Sequence, residues 1–324
     1  MSHIQFTRDS RVALATLLFA GKNQSNCAER LGMNRSSINR EIENNKDPDG
    51  VYRGAHAHKR FLERRKKAKE KYLKIRNNKE LEKYIISKLK KFWSPEQIAG
   101  RLRKDKNIVI CHETIYTYIY QEKPVLIKCL RRQRNKYRKK RGSRARIALN
   151  IGMKSRNISE RPAVVEDRSR IGDWEDDTII GREKTQRVLS LVERKSGFGL
   201  ADKLEVVTAE IVHQKSVEQF KKIPKNARHT LTRDNGVEFG GYDQDLERKT
   251  KLQVYRANKY HSWERGTNEN WNGLLRQFFP KKMYFANITQ YDVDRAVRLI
   301  NNRPRKRLGY LTPREVFKEC CNSD

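Results

Sequence analysis

From about Arg161 onward the chain alternates runs suited to strands with runs suited to helices, and the order of that alternation leaves few folds open. Trp174–Ile180 (WEDDTII), Val188–Val192 (VLSLV) and Gly199–Val207 read as three strands. Ala209–Lys221 reads as a helix. His229–Thr232 reads as a strand that runs straight into Asp234-Asn235-Gly236. A helix over Tyr242–Thr250, a strand over Leu252–Tyr255 and a helix over Thr267–Phe279 complete the set. In that last helix Thr267 is the expected N-cap, Trp271, Leu274, Leu275 and Phe278 form the apolar stripe, and Pro280 is the stop.

Three strands, helix, strand, helix, strand, helix is the order of an RNase H-like α/β fold with a mixed sheet. Three acids sit at informative places in it. Asp177 lies on the first strand, Asp234 at the end of the fourth and Glu269 on the last helix, points that this fold brings together at one end of the sheet. Convergent carboxylates repel one another unless a hard cation sits between them. Mg²⁺ suits oxygen ligands and phosphate substrates best, with Mn²⁺ as substitute. Two such ions about 3.5–4 Å apart can activate a hydroxyl and stabilise the leaving oxygen in an in-line phosphoryl displacement. Taken singly, each acid has a plainer reading: a turn at Asp234, an edge-strand charge at Asp177, a capping acid at Glu269.

The N-terminal part has a different character. Val12, Leu14, Ala15, Leu17 and Leu18 predict a first helix opened by Thr7 and ended by Gly21. A second runs from about Gln24 to Leu31. After Gly32-Met33-Asn34 a third follows from Arg35 to Asn44, with Ile38 and Ile42 inward and Arg35, Ser36, Ser37, Asn39 and Arg40 outward. A helix, a Gly-bearing turn and a helix opening on small polar residues and Arg make the helix-turn-helix pattern, with Arg and Asn suited to purine edges in a major groove. Tyr52–Arg76 is a basic helical run. Leu81–Glu122 repeats the theme, with a helix over Leu81–Phe92, Ser94-Pro95 opening the next and His112–Tyr120 as the third. Arg131–Arg146 holds ten basic residues and no acid, a linker that would follow a DNA backbone. The expected organisation is a helix-turn-helix domain over 1–50, a basic helical connector over 51–78 and a second helix-turn-helix-like domain over 79–125. A basic linker over 126–160 and a catalytic α/β domain over 161–324 follow.

Charge agrees with this reading. Lys and Arg number 73 against 39 Asp and Glu, a formal net charge of +34 in 324 residues, which calls for a polyanionic partner. Double-stranded DNA is the leading candidate. An anionic membrane and a ribosomal role explain the charge without the acids. No apolar run is long enough to span a membrane and no signal peptide is visible. The five cysteines show no CxxC spacing, which argues against a disulfide framework or zinc knuckle and fits a reducing cytoplasm. His112 reads as structural.

Three segments carry a resemblance: GDWEDDTIIG (Gly172–Gly181), TLTRDNGVEF (Thr230–Phe239) and SWERGTNENWNGLLRQFFPKK (Ser262–Lys282). With INREIENN, WSPEQIAGRL, ETIYTYIY and NNRPRKRLGYLTPREVF (Asn301–Phe317), they resemble the IS-thirty family of insertion-sequence transposases, within the DDE group, over nearly the whole chain. The resemblance implies an RNase H-like catalytic core. It also implies N-terminal domains that bind the element's terminal inverted repeats, and at least a homodimer on DNA. Carried over by position, Asp177, Asp234 and Glu269 are the catalytic acids and metal ligands. Arg265, Asn268 and Arg276 are helpers at the DNA backbone. Asp176 stands where the family usually has Gly and is a rival to Asp177; strand alternation lets only one of them face the site. Asp173 stands where His is more usual, and Asn258-Lys259-Tyr260 replaces the family's Asp-Pro-Tyr. A helix-turn-helix regulator without catalysis, or a nuclease that cuts without joining, are the rival functions.

Overall fold

A computed structural model describes residues 5–70, 74–131, 156–258 and 261–322. They form two compact units, Met1–Glu82 and Lys83–Asp324. The expected basic linker falls largely in 132–155, outside the described residues. No helix among the described residues is long and apolar enough to cross a membrane.

In the first unit, α1 (Arg8–Phe19), α2 (Gln24–Leu31) and α3 (Arg35–Asn45) precede a longer basic helix, α4 (Gly54–Glu70). Thr7 and Ser10 cap α1 reciprocally, and Asn23 caps α2. Gly32 ends α2 at φ 62°, a left-handed position that suits glycine, and Asn34 caps α3. Leu14, Cys27, Ala28, Ile38, Ile42, Tyr52 and Ala57 form the core. That core also holds a polar knot that hydrophobic periodicity does not reveal. Arg11 donates to both oxygens of Glu41 (2.7 and 3.2 Å), and Asn45 and Tyr52 donate to the same carboxylate.

The second unit opens with α5 (Lys79–Lys90), which straddles the division, then α6 (Pro95–Lys106) and α7 (His112–Gln121). Ser94 and Gln97 form a capping box with Pro95 in the first turn of α6. A six-stranded sheet follows. Its strands are β1 (Arg156–Asn157), β2 (Asp173–Ile180), β3 (Arg187–Glu193), β4 (Gly199–Leu204), β5 (Thr230–Arg233) and β6 (Gln253–Arg256), in the order β1-β6-β5-β2-β3-β4. β2, β3 and β4 are antiparallel neighbours, while β5 and β6 run parallel to β2. The helices between and after the strands are α8 (Val164–Asp167), α9 (Ala209–Lys221), α10 (Asp243–Thr250), α11 (Gly266–Leu275), α12 (Gln290–Asn301) and α13 (Pro313–Cys321). This is the mixed α/β layered sheet expected of an RNase H-like domain, preceded by helices.

Both sheet faces are covered, which is why β3 reads as a nearly unbroken apolar run. On one face Ile179, Val188 and Val192 pack against Trp271, Leu274 and Leu275 of α11 and Val297 and Ile300 of α12. On the other, Trp174, Leu191, Leu231 and Val254 pack against Val217 and Phe220 of α9 and Leu246 of α10. The opening helices join this unit through polar contacts. Arg101 of α6 forks onto Glu315 at 2.7 and 2.8 Å and donates to the Tyr310 carbonyl, and Lys306 meets Glu96.

Two expectations need correction. α11 starts at Gly266, with Arg265 rather than Thr267 at the N-cap position and no side-chain cap bond. It also ends at Leu275, well before Pro280, because the chain tightens into turns after Arg276.

Candidate active site

The parallel register of β2 and β5 builds the site. It sets Asp173 beside Thr230, Trp174 beside Leu231 and Glu175 beside Thr232. Continued one and two steps, the same register puts Arg233 beside Asp176 and Asp234 beside Asp177. Side chains alternate between faces along a strand, so these two pairs point to opposite sides of the sheet.

On the α9–α10 face, Asp176 and Arg233 form a fully buried ion pair at 2.5 Å. Arg233 also reaches Asp243 of α10 at 3.1 Å. Arg256 of β6 holds both oxygens of Asp243 (2.7 and 2.8 Å) and donates onward to the carbonyl of Asp234. Asp176 is thus a structural partner whose network fixes the backbone of Asp234 from behind.

On the α11 face the opposite holds: two acids lie side by side. Asp234 keeps 35% side-chain exposure, and one of its oxygens accepts the Gly236 N–H at 2.8 Å in a local turn. Asp177 keeps 30%; it accepts from the Thr178 N–H (2.8 Å) and from the Asn272 amide of α11 (3.0 Å). Arg265 lies between them, 3.2 Å from Asp234 and 3.7 Å from Asp177. Burial pushes the Asp177 carboxyl up to about 6; the Arg265 charge pulls it back and the neighbouring Asp234 raises it again. Like charges directly opposite on adjacent strands are destabilising. The pair therefore asks for more positive charge than one guanidinium supplies, and its hard oxygen donors suit a divalent cation.

The placement of α11 relative to this pair comes from Glu175 and Asn268. The Glu175 carboxylate accepts the free Asn268 N–H of the first helical turn at 2.7 Å, doing the work of the missing cap, and it also pairs with Arg194 at 2.8 Å. Asn268 in turn donates to the Glu175 carbonyl at 2.9 Å and accepts from the Ser190 hydroxyl at 3.1 Å. Asn268 is fully buried, so the expectation that it touches the DNA backbone is corrected: it registers the helix on the sheet. Arg276 is occupied as well, donating to the carbonyls of Ile180 (3.0 Å) and Phe279 (3.4 Å).

Glu269 is exposed in the first turn of α11. Arg265, Glu269, Asn272 and Arg276 fall at helical spacing on one face, and two of them, Arg265 and Asn272, touch the Asp pair. Among the described residues no three acidic, His or Cys side chains come close enough to hold a metal ion. The structure brings Asp177 and Asp234 together and sets Glu269 on the adjoining helix face, outside that contact. Glu264 is engaged locally, accepting from Asn258 and His261. Asp173 is held by Arg170 and Thr230. Asn272 was not singled out from sequence as an Asp177 partner; its position three residues after Glu269 was the available signal.

In the N-terminal unit, Arg35, Ser36, Asn39 and Arg40 of α3 are exposed and Ser37 is half-buried, on the side away from Ile38 and Ile42. The Ser36 hydroxyl is tied to the Asn34 cap at 2.8 Å.

No protein-family model matches the chain. Curated relatives match nearly all of it. The transposase for insertion sequence element IS4351 of Bacteroides fragilis is 38% identical over 321 residues, 98% of this chain and 97% of the relative. Transposase InsI for insertion sequence element IS30A of Escherichia coli is 34% identical over 302 residues, 90% of this chain and 77% of the relative. The transposase for insertion sequence element IS1086 of Cupriavidus metallidurans is 32% identical, covering 90% and 88%. Among solved structures, the catalytic core domain of BIV integrase aligns with 46% of this chain and 94% of its own at 20% identity, with a TM-score of 0.38. On the strength of the sequence relatives, the chain belongs to the IS30 family of insertion-sequence transposases.

Proposed function

We propose that this protein is a DDE-type DNA transposase that binds the inverted repeats of its element, cuts at their ends and joins the freed strand to another DNA. The observation that carries the chemical part is the Asp177–Asp234 pair on the α11 face, bridged by Arg265, with Glu269 on the adjoining face of the same helix. Asp177, Asp234 and Glu269 are the three acids of the reaction. Their combined charge of −3 exceeds what Arg265 neutralises and matches a site for divalent cations, Mg²⁺ with Mn²⁺ as substitute. Bound there, the ions would supply activation of the attacking hydroxyl and stabilisation of the leaving oxygen. The chain's own contribution is positional. Arg256 pins the Asp234 backbone, Asn272 orients Asp177, and Glu175 with Asn268 fixes α11, whose first turn carries Glu269. Arg265, already at the acids, is set to meet the DNA phosphate as it arrives.

Recognition of the ends is assigned to α3, whose Arg35, Asn39 and Arg40 are open to a major groove. Joining two ends requires at least two copies of the chain on DNA.

Labelled DNA carrying the element's ends, incubated with Mg²⁺ or with EDTA, tests the proposal. Metal-dependent cleavage followed by joined product is expected. Tight end binding with no chemistry in Mg²⁺ would leave a regulator, and cleavage without joining would leave a nuclease.

A further inference from the structure

The N-terminal tip of α11 presents a second polar site on its other side. A cavity of about 130 Å³ lies there, bordered by Thr267, Asn270 and Trp271 of α11 and by Arg168, Arg305 and Arg307. That volume admits a small polar group. Three guanidinium groups border it and no carboxylate does. The acid acting on Arg307 is Glu193, whose carboxylate is already taken by the N–H groups of Lys195 and Ser196 and by the Ser196 hydroxyl.

Two features point to a missing anionic ligand. First, donors outnumber acceptors. Trp271 is only 2% exposed and its indole N–H has no partner, and the buried Thr267 hydroxyl has none either. A buried donor left unpaired is costly, and Thr267 and Trp271 both line the cavity, with the Trp271 ring edge that carries Nε1 lying against Gly199. Second, the arginines crowd one another. Burial, and then the charges of Arg307 and Arg131, hold Arg305 down to about 10; burial and Arg168 lower Arg307. Arg303 close by, 2% exposed, also keeps two guanidinium nitrogens without acceptors. The start of a ten-residue helix adds its partial positive charge to the same wall.

We propose that this cavity is a binding pocket for a backbone phosphate of the bound DNA, distinct from the Asp177–Asp234 site and on the opposite side of α11. The inference rests on the reading that the chain acts on DNA, and it adds a residue set that reading does not use. A phosphate there would lock the start of α11 from one side while the acids act from the other. DNA held at both points would present one phosphodiester to the acids and another, further along the molecule, to Arg168, Arg305 and Arg307.

The test uses the full chain and duplex DNA bearing the element's ends, in EDTA so that no chemistry occurs. Binding constants for wild type and for the Arg168→Gln/Arg307→Gln double variant are measured against salt. Each phosphate contact contributes about 0.9 to the slope of log K against log salt, so the variant's slope should be shallower by about one. The Trp271 indole N–H resonance, identified by its loss in Trp271→Phe, should shift on adding DNA. Inorganic phosphate alone is the second arm. A DNA-induced shift with little response to millimolar phosphate assigns the pocket to DNA. An equal response to phosphate alone overturns that assignment in favour of a free-anion site. An unchanged slope together with an unmoved Trp271 resonance overturns the pocket altogether, while the wild-type salt dependence still stands for DNA binding. A wild type with no salt-dependent binding would instead refute the underlying reading.

Discussion

Replacing Asp177 by Asn and Asp176 by Asn should move stability in opposite directions, although the residues are adjacent and the change is the same. Asp177 sits beside another acid, with its carboxyl pushed up to about 6 from the usual ~3.9, first by burial and also by Asp234. A carboxyl whose folded pKa exceeds its unfolded value favours folding while protonated. That benefit is complete below about pH 4 and is lost as pH rises through about 6. At pH 7.5 the ionised group therefore costs up to about 3 kcal/mol by the two-unit shift. Its 30% exposure lets solvent screen part of this, leaving about 1–2 kcal/mol. Asp177→Asn removes that cost, and the unpartnered amide oxygen of Asn272 can accept from the new side chain. The melting temperature at pH 7.5 should rise by about 2–8 °C, with no gain near pH 4. Asp176→Asn instead leaves Arg233 buried without its main counter-charge. Breaking such a pair costs about 3–5 kcal/mol; Asp243 softens it towards the lower figure, a fall of about 6–12 °C. Thermal unfolding of the two variants between pH 4 and 8 is the assay. A loss of stability in Asp177→Asn at pH 7.5, or no loss in Asp176→Asn, would refute the assignment of the two faces.

Further outcomes follow from the same contacts. Asn268→Ala should cost about 1–3 kcal/mol and abolish strand cleavage while end binding persists, because it frees α11 from the sheet; weakened DNA binding at unchanged stability would contradict this. Gly100→Ala should loosen α6 by about 1–3 kcal/mol, since a Cβ there would lie 2.2 Å from the Tyr310 ring, and hydrogen exchange over Pro95–Lys106 would report it. Arg40→Ala should weaken binding to the element's own ends by about 1–3 kcal/mol more than to unrelated DNA, at unchanged melting temperature, in a competition gel-shift. With its carboxyl pushed up to about 6, Asp177 in metal-free protein should lose its proton between about pH 5 and 7, followed by its side-chain carboxyl carbon resonance; an Asp177 already fully ionised at pH 5 would contradict the burial that raises it.

Much of the architecture was legible because it rests on periodicity. The strand–helix alternation after Arg161, the capping residues Thr7 and Ser94, and the apolar faces of α3 and α6 all appear in the chain directly. What periodicity does not carry is pairing across strands. β1 is two exposed residues with no apolar signal, so it reads as linker. The choice between Asp176 and Asp177 becomes physical only when the β2–β5 register sets Arg233 beside one and Asp234 beside the other. Asn268 looks like a polar surface residue in a Thr-Asn-Glu-Asn string, yet it is buried because Glu175 and Ser190 offer it partners from two strands. Arg11, placed in an otherwise apolar helix stripe, is buried for the same kind of reason, having Glu41 opposite.

The central claim is that Asp177, Asp234 and Glu269 form one chemical site acting on DNA. Its most direct test is single-turnover cleavage and joining of end-bearing DNA by Asp177→Asn, Asp234→Asn and Glu269→Gln, with end binding and melting temperature measured for each. All three should lose both reactions by several orders of magnitude, while remaining folded and binding the ends as wild type does. Retained cleavage in any one of them would remove that residue from the site, and retained cleavage in Asp177→Asn would contradict the account as a whole.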